Sequence, residues 1–122
     1  MATLTPTLTL SSTDALVDSL NLSVTDSLSV MGVTKRFSVV TSTTSAVVLA
    51  AASYTTSYVF LHNKSGTAAE IITIEKADGG DEYMYLGAGE FAFFPWSSTV
   101  DLFADAAQGN PVLEIMLFQA AA

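Results

Sequence analysis

In the stretch Ser57-Tyr58-Val59-Phe60-Leu61-His62, Tyr58 and Phe60 fall on one side of an extended chain and Val59 and Leu61 on the other. Both sides are apolar, and β-branched and aromatic residues suit a pleated backbone, so the pattern predicts a strand that is central in a sheet or covered by an interface. The turn residues Asn63-Lys64-Ser65-Gly66 end it. Glu70 to Lys76 then carries Ile72 and Ile74 on one face and Ile71, Thr73 and Glu75 on the other, and Ala77-Asp78-Gly79-Gly80 turns the chain into Asp81 to Leu86, which closes a hairpin. Gly87-Ala88-Gly89 interrupts the pattern. From Glu90 to Trp96, Phe91 and Phe93 lie on one side and Ala92, Phe94 and Trp96 on the other, while Pro95, lacking an N–H, places this strand near a sheet edge. Val100 to Ala104 and Val112 to Phe118 follow as strands, joined through Asp105 to Pro111, whose Gln-Gly-Asn-Pro segment is turn chemistry.

Upstream the same period of two continues with a different composition. Of 29 serines and threonines, 23 precede Tyr58, whereas ten of the twelve aromatic residues lie from Tyr58 onward, so the two halves have different tasks. Thr34 to Val40 and Ala46 to Ala50 read as strands around a loop, Thr41 to Ser45. Leu20, Leu22 and Val24 alternate, and Leu28 and Val30 resume after Thr25-Asp26-Ser27, which fits a hairpin or a bulged strand. Leu16, Val17 and Leu20, behind a Thr13 or Asp14 cap, allow one helical turn. Thr3 to Leu10 alternates Thr with Leu or Pro and reads as an extended N-terminal arm or edge strand.

Short strands separated by regular turns, without a sustained 3.6-residue period, predict an all-β fold: one antiparallel β-sandwich or jelly-roll-like barrel over residues 13–122, preceded by an extended arm over residues 1–12. A chain of 122 residues that is 50% hydrophobic fills one core. Only 13% of residues are charged, about half the share usual in soluble domains, so part of the surface is expected to be covered in an assembly. The net charge of −8 repels phosphate backbones and anionic headgroups, which disfavours direct nucleic-acid or membrane binding. Neither a signal peptide nor a bilayer-length apolar segment is read in it. Without cysteine there is no disulfide framework or thiolate metal site.

Candidate chemistry is sparse. His62 is the sole histidine and has no second histidine or cysteine with which to hold a metal, and no local motif supplies partners for a nucleophilic triad. A strand-end imidazole bonded to backbone accounts for it. Asp78, Asp81 and Glu82 surround two glycines and could offer oxygens to calcium, but their spacing is not that of an EF-hand and a solvated hairpin turn explains them. Gly87-Ala88-Gly89 lacks the third glycine, the Lys-Ser/Thr pair and the helix of a phosphate loop. Asn21-Leu22-Ser23 and Asn63-Lys64-Ser65 match the glycosylation pattern by chance in a Ser-rich chain. Phe91, Phe93, Phe94 and Trp96 either pack in a core or interface or form a platform on which sugars or nucleic-acid bases stack. No catalytic residue, cofactor or metal site is assigned, and the chain is read as a non-enzyme.

The segments Tyr83-Met84-Tyr85-Leu86-Gly87-Ala88-Gly89-Glu90-Phe91-Ala92-Phe93-Phe94-Pro95-Trp96, Asp101-Leu102-Phe103-Ala104 and Leu113-Glu114-Ile115-Met116-Leu117-Phe118 resemble small β-sandwich virion proteins of tailed bacteriophages, the capsid decoration or cement proteins among them. The resemblance covers about half the chain. It implies a homotrimer or other small oligomer on the capsid exterior, where it binds and stabilises the lattice with the major capsid protein or another virion protein as partner. The contact candidates are Thr3, Leu4, Thr5, Pro6, Thr7 and Leu8 of the arm, which could add a strand to a neighbour, and the aromatic set Phe91, Phe93, Phe94 and Trp96. A phage neck, tail or fibre component fits the same features. A carbohydrate-binding module is the third reading, and it requires Trp96 and its aromatic neighbours to face solvent.

Overall fold

The computed structural model describes residues 2–51, 56–76, 81–97 and 99–121, with the main chain alone at 33 and 34. Among the described residues eleven strands make up the regular structure: β1 (Ala2–Leu4), β2 (Thr7–Ser12), β3 (Leu20–Thr25), β4 (Leu28–Val40), β5 (Ala46–Leu49), β6 (Ser57–Asn63), β7 (Ile72–Glu75), β8 (Glu82–Leu86), β9 (Phe91–Trp96), β10 (Leu102–Ala106) and β11 (Val112–Ala120). Every pairing is antiparallel. A five-stranded sheet of order β1-β4-β11-β6-β9 and a four-stranded sheet of order β5-β10-β7-β8 carry the core, and β2 and β3 form a separate two-stranded hairpin. The protein is an antiparallel β-sandwich, and no helix occurs among the described residues.

The core follows from the period of two. Along β6 the residues alternate between buried and half-buried, and Val59 and Leu61 point into the sandwich beside Leu113, Ile115 and Leu117 of β11. The facing sheet supplies Ile72 and Ile74, Leu102, and Leu49 and Leu86 from its two edge strands. Side chains covered to this degree each contribute about 1.5–3 kcal/mol relative to exposure, so the paired inner faces dominate the fold's stability. The β6 strand is interior to its sheet and β9 is an edge, as the two-faced apolar pattern and Pro95 require.

At one end of β6 the two sheets are joined by a buried polar residue. Asn63 is fully buried, and its Nδ2 donates to the carbonyl of Glu70 and, across the sandwich, to that of Leu86 in β8, each at 2.9 Å. Its Oδ1 accepts from the Ser65 amide at 3.0 Å. A glycan on this nitrogen is incompatible with the fold, since both its protons are committed inside the protein.

The N-terminal quarter departs from expectation. Of the two readings of the N-terminal segment, an edge strand is what Ala2–Leu4 forms, pairing with Leu28 to Val30 at the margin of the five-stranded sheet, while Thr7–Ser12 pairs with Leu20–Thr25. Their main-chain groups therefore find partners within the chain, where closing a short loop costs less than recruiting another molecule. The boundary expected between residues 12 and 13 falls within the β2–β3 hairpin. No helical turn forms over Thr13 to Leu20; the segment is an irregular hairpin connection begun by Ser12, whose Oγ accepts the amides of Asp14 and Ala15 at 3.2 and 2.9 Å. Residues 25–27 do not turn β3 back upon β4, because β3 has paired with β2. Thr34 to Val40 is the second part of a longer strand that begins at Leu28.

Replacing Asn63 by Ala should remove the donor from the buried bond to the Leu86 carbonyl and from the part-buried bond to Glu70, at about 1–3 kcal/mol for the buried one. Urea unfolding should show a lower midpoint with an unchanged slope, and an unchanged midpoint would remove this residue from the account of sheet-to-sheet packing.

Candidate functional site

Period-two alternation puts the complementary residues of β6 and β9 on the outside of the five-stranded sheet. Register pairs His62 with Phe91, Phe60 with Phe93 and Tyr58 with Pro95, so one face carries a two-strand aromatic ladder. Tyr58 and Phe93 stack with ring centroids 6.4 Å apart, Phe60 and Phe91 lie tilted at 6.3 Å, and His62 meets Phe91 edge-on at 6.5 Å. Phe91 is 63% exposed and Phe93 39%, which is unusual for rings of this size in a domain whose other face is sealed.

The base of the β2–β3 hairpin stands opposite this ladder and leaves a groove of about 650 Å³. Pro6, Leu8 and Val24 line it from the hairpin side, and Tyr58, Phe60 and Phe93 from the sheet. Asp26 is the charged residue at its wall, and its amide donates to the Pro6 carbonyl at 3.1 Å, closing the hairpin's base. Within the hairpin, Leu8 pairs with Val24 and Leu10 with Leu22, so four apolar side chains share one face while Thr7, Thr9, Ser11, Asn21, Ser23 and Thr25 take the other. Those four are 43–54% exposed. The connection at the tip adds Leu16 and Val17, 58% and 105% exposed, between Asp14 and Asp18.

The candidates from sequence divide accordingly. Pro6, Thr7, Leu8, Phe91 and Phe93 all line the groove. Thr3 and Leu4 lie in the edge strand β1 and Thr5 follows it, outside the groove lining. Phe94 packs half-buried against the core and Trp96 is 5% exposed within it, so neither belongs to the outer surface. The alternation that exposes Phe91 and Phe93 necessarily turns Phe94 and Trp96 inward. The apolar hairpin face was open to sequence reading in Leu8, Leu10, Leu22 and Val24, but their pairing across a separate hairpin was not.

The remaining polar candidates have local partners. His62 Nε2 donates to the Gly89 carbonyl at 3.2 Å, and Gly89 takes φ of +76° in the turn between β8 and β9. Asp81 forms an exposed ion pair with Lys76 at 3.5 Å. Asp78 lies outside the described residues, as do residues 77, 79 and 80. Among the described residues no three of His, Asp and Glu gather as a metal site. On the outer face of the other sheet the Tyr85 hydroxyl donates to the Glu82 carboxylate; this bond, and then the adjacent negative charge, raise the phenol's pKa above its ordinary range.

No protein-family model, curated protein or solved structure matches this chain.

Two substitutions should separate the faces of β9. Trp96→Ala should cost about 3–5 kcal/mol as a core truncation, whereas Phe91→Ala should cost less than about 1.5 kcal/mol, the value of an exposed aromatic pair; comparable losses in urea unfolding would contradict the assignment of faces. Glu82→Gln should bring the Tyr85 titration down toward about 10, followed as the tyrosinate absorbance difference from the parent protein.

Proposed function

We propose that this chain is a non-enzymatic structural protein of a virion, a capsid decoration or cement protein that attaches as an oligomer to the capsid exterior. The observation that carries the reading is the pair of open apolar surfaces, hairpin face and aromatic ladder, on a sandwich whose interior is otherwise closed. Solvated domains rarely leave such surfaces uncovered, and permanent interfaces have the composition of a domain core. The low charged fraction of 13% supports the same conclusion, since a lattice-bound protein needs fewer solubilising side chains. The phage context comes from the resemblance of the strands between Tyr83 and Phe118 to small virion proteins, and a neck, tail or fibre position would use the same surfaces. The partner on this reading is the major capsid protein or another virion protein.

Carbohydrate binding is the weaker reading. Exposed Phe91 and Phe93 favour it, but glycan pockets combine a ring with several converging polar groups, and the groove wall is largely apolar. Trp96, the residue best suited to stacking, is in the core.

Removing residues 7–25 and joining Pro6 to Asp26 through two glycines tests the proposal, because the Asp26 amide already meets the Pro6 carbonyl. Occupancy on capsids should fall at least tenfold while the melting temperature of the isolated sandwich changes little. Full occupancy by the shortened protein would reject the hairpin as the attachment surface.

A further inference from the structure

One side of the β9 backbone has no partner strand. The Asn63 amide donates to the Glu90 carbonyl and the Asn63 carbonyl accepts from the Gly89 amide, while the next amide, that of Lys64, donates to Val112 on the opposite side of β6. Main-chain groups alternate in direction along a strand, so Leu61, Val59 and Ser57 face β9, and their register partners Ala92, Phe94 and Trp96 face back. The N–H and C=O groups of Phe91 and Phe93 and the carbonyl of Pro95 therefore point away from the sheet, and no described residue bonds to them. Pro95 is tolerated because its nitrogen lies on that open side. The other open stretch of this sheet, β4 beyond the three residues that β1 covers, carries Lys35 and Arg36, charges of the kind that guard an edge. The β9 strand carries none, and the same Phe91 and Phe93 present their rings to the groove.

We infer that an extended segment of a partner protein, apolar on one face except for a lysine or arginine, adds to β9 as a sixth strand and lays that basic side chain in the groove beside Asp26. This deepens the attachment function proposed above and rests on it for the identity of the partner. A strand about 4.8 Å from β9 places every second side chain next to Phe91 and Phe93, on the groove face. The groove, about 650 Å³, then receives a few side chains and not a folded surface. Affinity comes largely from the main-chain bonds offered by Phe91, Phe93 and Pro95, as in other strand additions. Charge decides what those side chains are. Asp26 stands at the groove wall with Oδ1 accepting the Ser27 amide at 2.7 Å, and no ion pair neutralises its carboxylate among the described residues. The aromatic rings beside it also favour a cation, and a net charge of −8 draws basic segments toward the whole molecule. A second copy does not supply such a segment. Of its four cations, Arg36 and Lys76 are ion-paired with Glu114 and Asp81, Lys35 already has a partner, and Lys64 follows β6 in a turn.

Peptide titrations of the full chain, followed by amide NMR, test this. The probe is acetyl-Leu-Thr-Lys-Thr-Leu-Thr-amide, which as a strand puts two leucines and the lysine on one face. Its binding should slow hydrogen exchange at the Phe91 and Phe93 amides and leave Ala92 and Phe94, which already face β6, unchanged. Two versions of the probe, N-methylated on alternate sets of backbone amides, should differ at least tenfold in affinity, because an added strand donates from one set only. A probe with glutamate in place of the lysine should bind at least tenfold more weakly than the parent peptide. Asp26→Asn keeps an oxygen for the Ser27 amide, so the hairpin base stays intact. It should weaken the lysine peptide about fivefold and narrow its advantage over the glutamate peptide.

Equal affinity of the two N-methylated peptides, equal affinity of the lysine and glutamate peptides, or no binding up to the solubility limit of the probe each overturns the inference. Hydrogen exchange over Glu90 to Trp96 in the capsid-bound protein separates it from the attachment reading. Full occupancy with Phe91 and Phe93 exchanging as fast as in the free protein overturns the inference and leaves attachment intact. Peptide binding with the expected charge and N-methyl dependence, by a protein that does not occupy capsids, supports the inference and rejects the attachment reading.

Discussion

The inner faces of β6 and β11 exclude water entirely, and the period of two that accomplishes this also decides what the outside of the molecule presents. Val59 and Leu61 cannot point inward without Tyr58, Phe60 and His62 pointing outward, because successive side chains leave opposite faces of a strand. Pairing with β9 repeats the constraint. Trp96 and Phe94 go to the core, and Phe93 and Phe91 go to the ladder. A slip of one residue between β6 and β9 would exchange the two sets, burying the ladder and exposing the tryptophan. The open aromatic surface and the dry core are thus set by the same register.

Asn63 bears on that register at the end of the strand. Its side chain reaches the opposing sheet at Leu86, and its own main chain exchanges hydrogen bonds with the turn before β9, with the Glu90 carbonyl accepting its amide and the Gly89 amide donating to its carbonyl. The Gly89 carbonyl accepts from His62. A buried polar residue with all its groups satisfied adds geometric selectivity that apolar contacts lack, because a displaced register would leave donors unpaired inside the protein. The turn-forming Asn63-Lys64-Ser65-Gly66 segment therefore has a second role that turn propensity does not disclose.

The hairpin stands apart from this economy of burial. Its own polar face is supplied with threonine and serine, and Thr7 and Thr25 approach each other across it at 3.2 Å, but its apolar face is left half exposed. Residues with this composition in the middle of a strand pair are expensive to leave in water, at about 25 cal/mol for each Å² of apolar area. Covering them is the contribution an assembly would make, and the groove at the hairpin's base shows that apolar surfaces of both kinds lie within reach of one another.

Sequence patterning determined the all-β class, the interior place of the Ser57–His62 strand, the edge position imposed by Pro95, the Ile72–Leu86 hairpin and the division of β9 into two faces. All of these are local consequences of side-chain alternation, turn chemistry and the missing N–H of proline, and they can be read a few residues at a time. The partner of each upstream strand could not be. Thr7–Ser12, Leu20–Thr25 and Leu28–Val40 alternate in the same way, so nothing local distinguishes a free arm, a β3–β4 hairpin or the observed pairing of β2 with β3 and of β1 with β4. Tertiary structure decided it because the competing hydrogen-bond ladders are locally equivalent. The choice among them depends on which arrangement lets β4 pair along β11 and complete the sheet over the core.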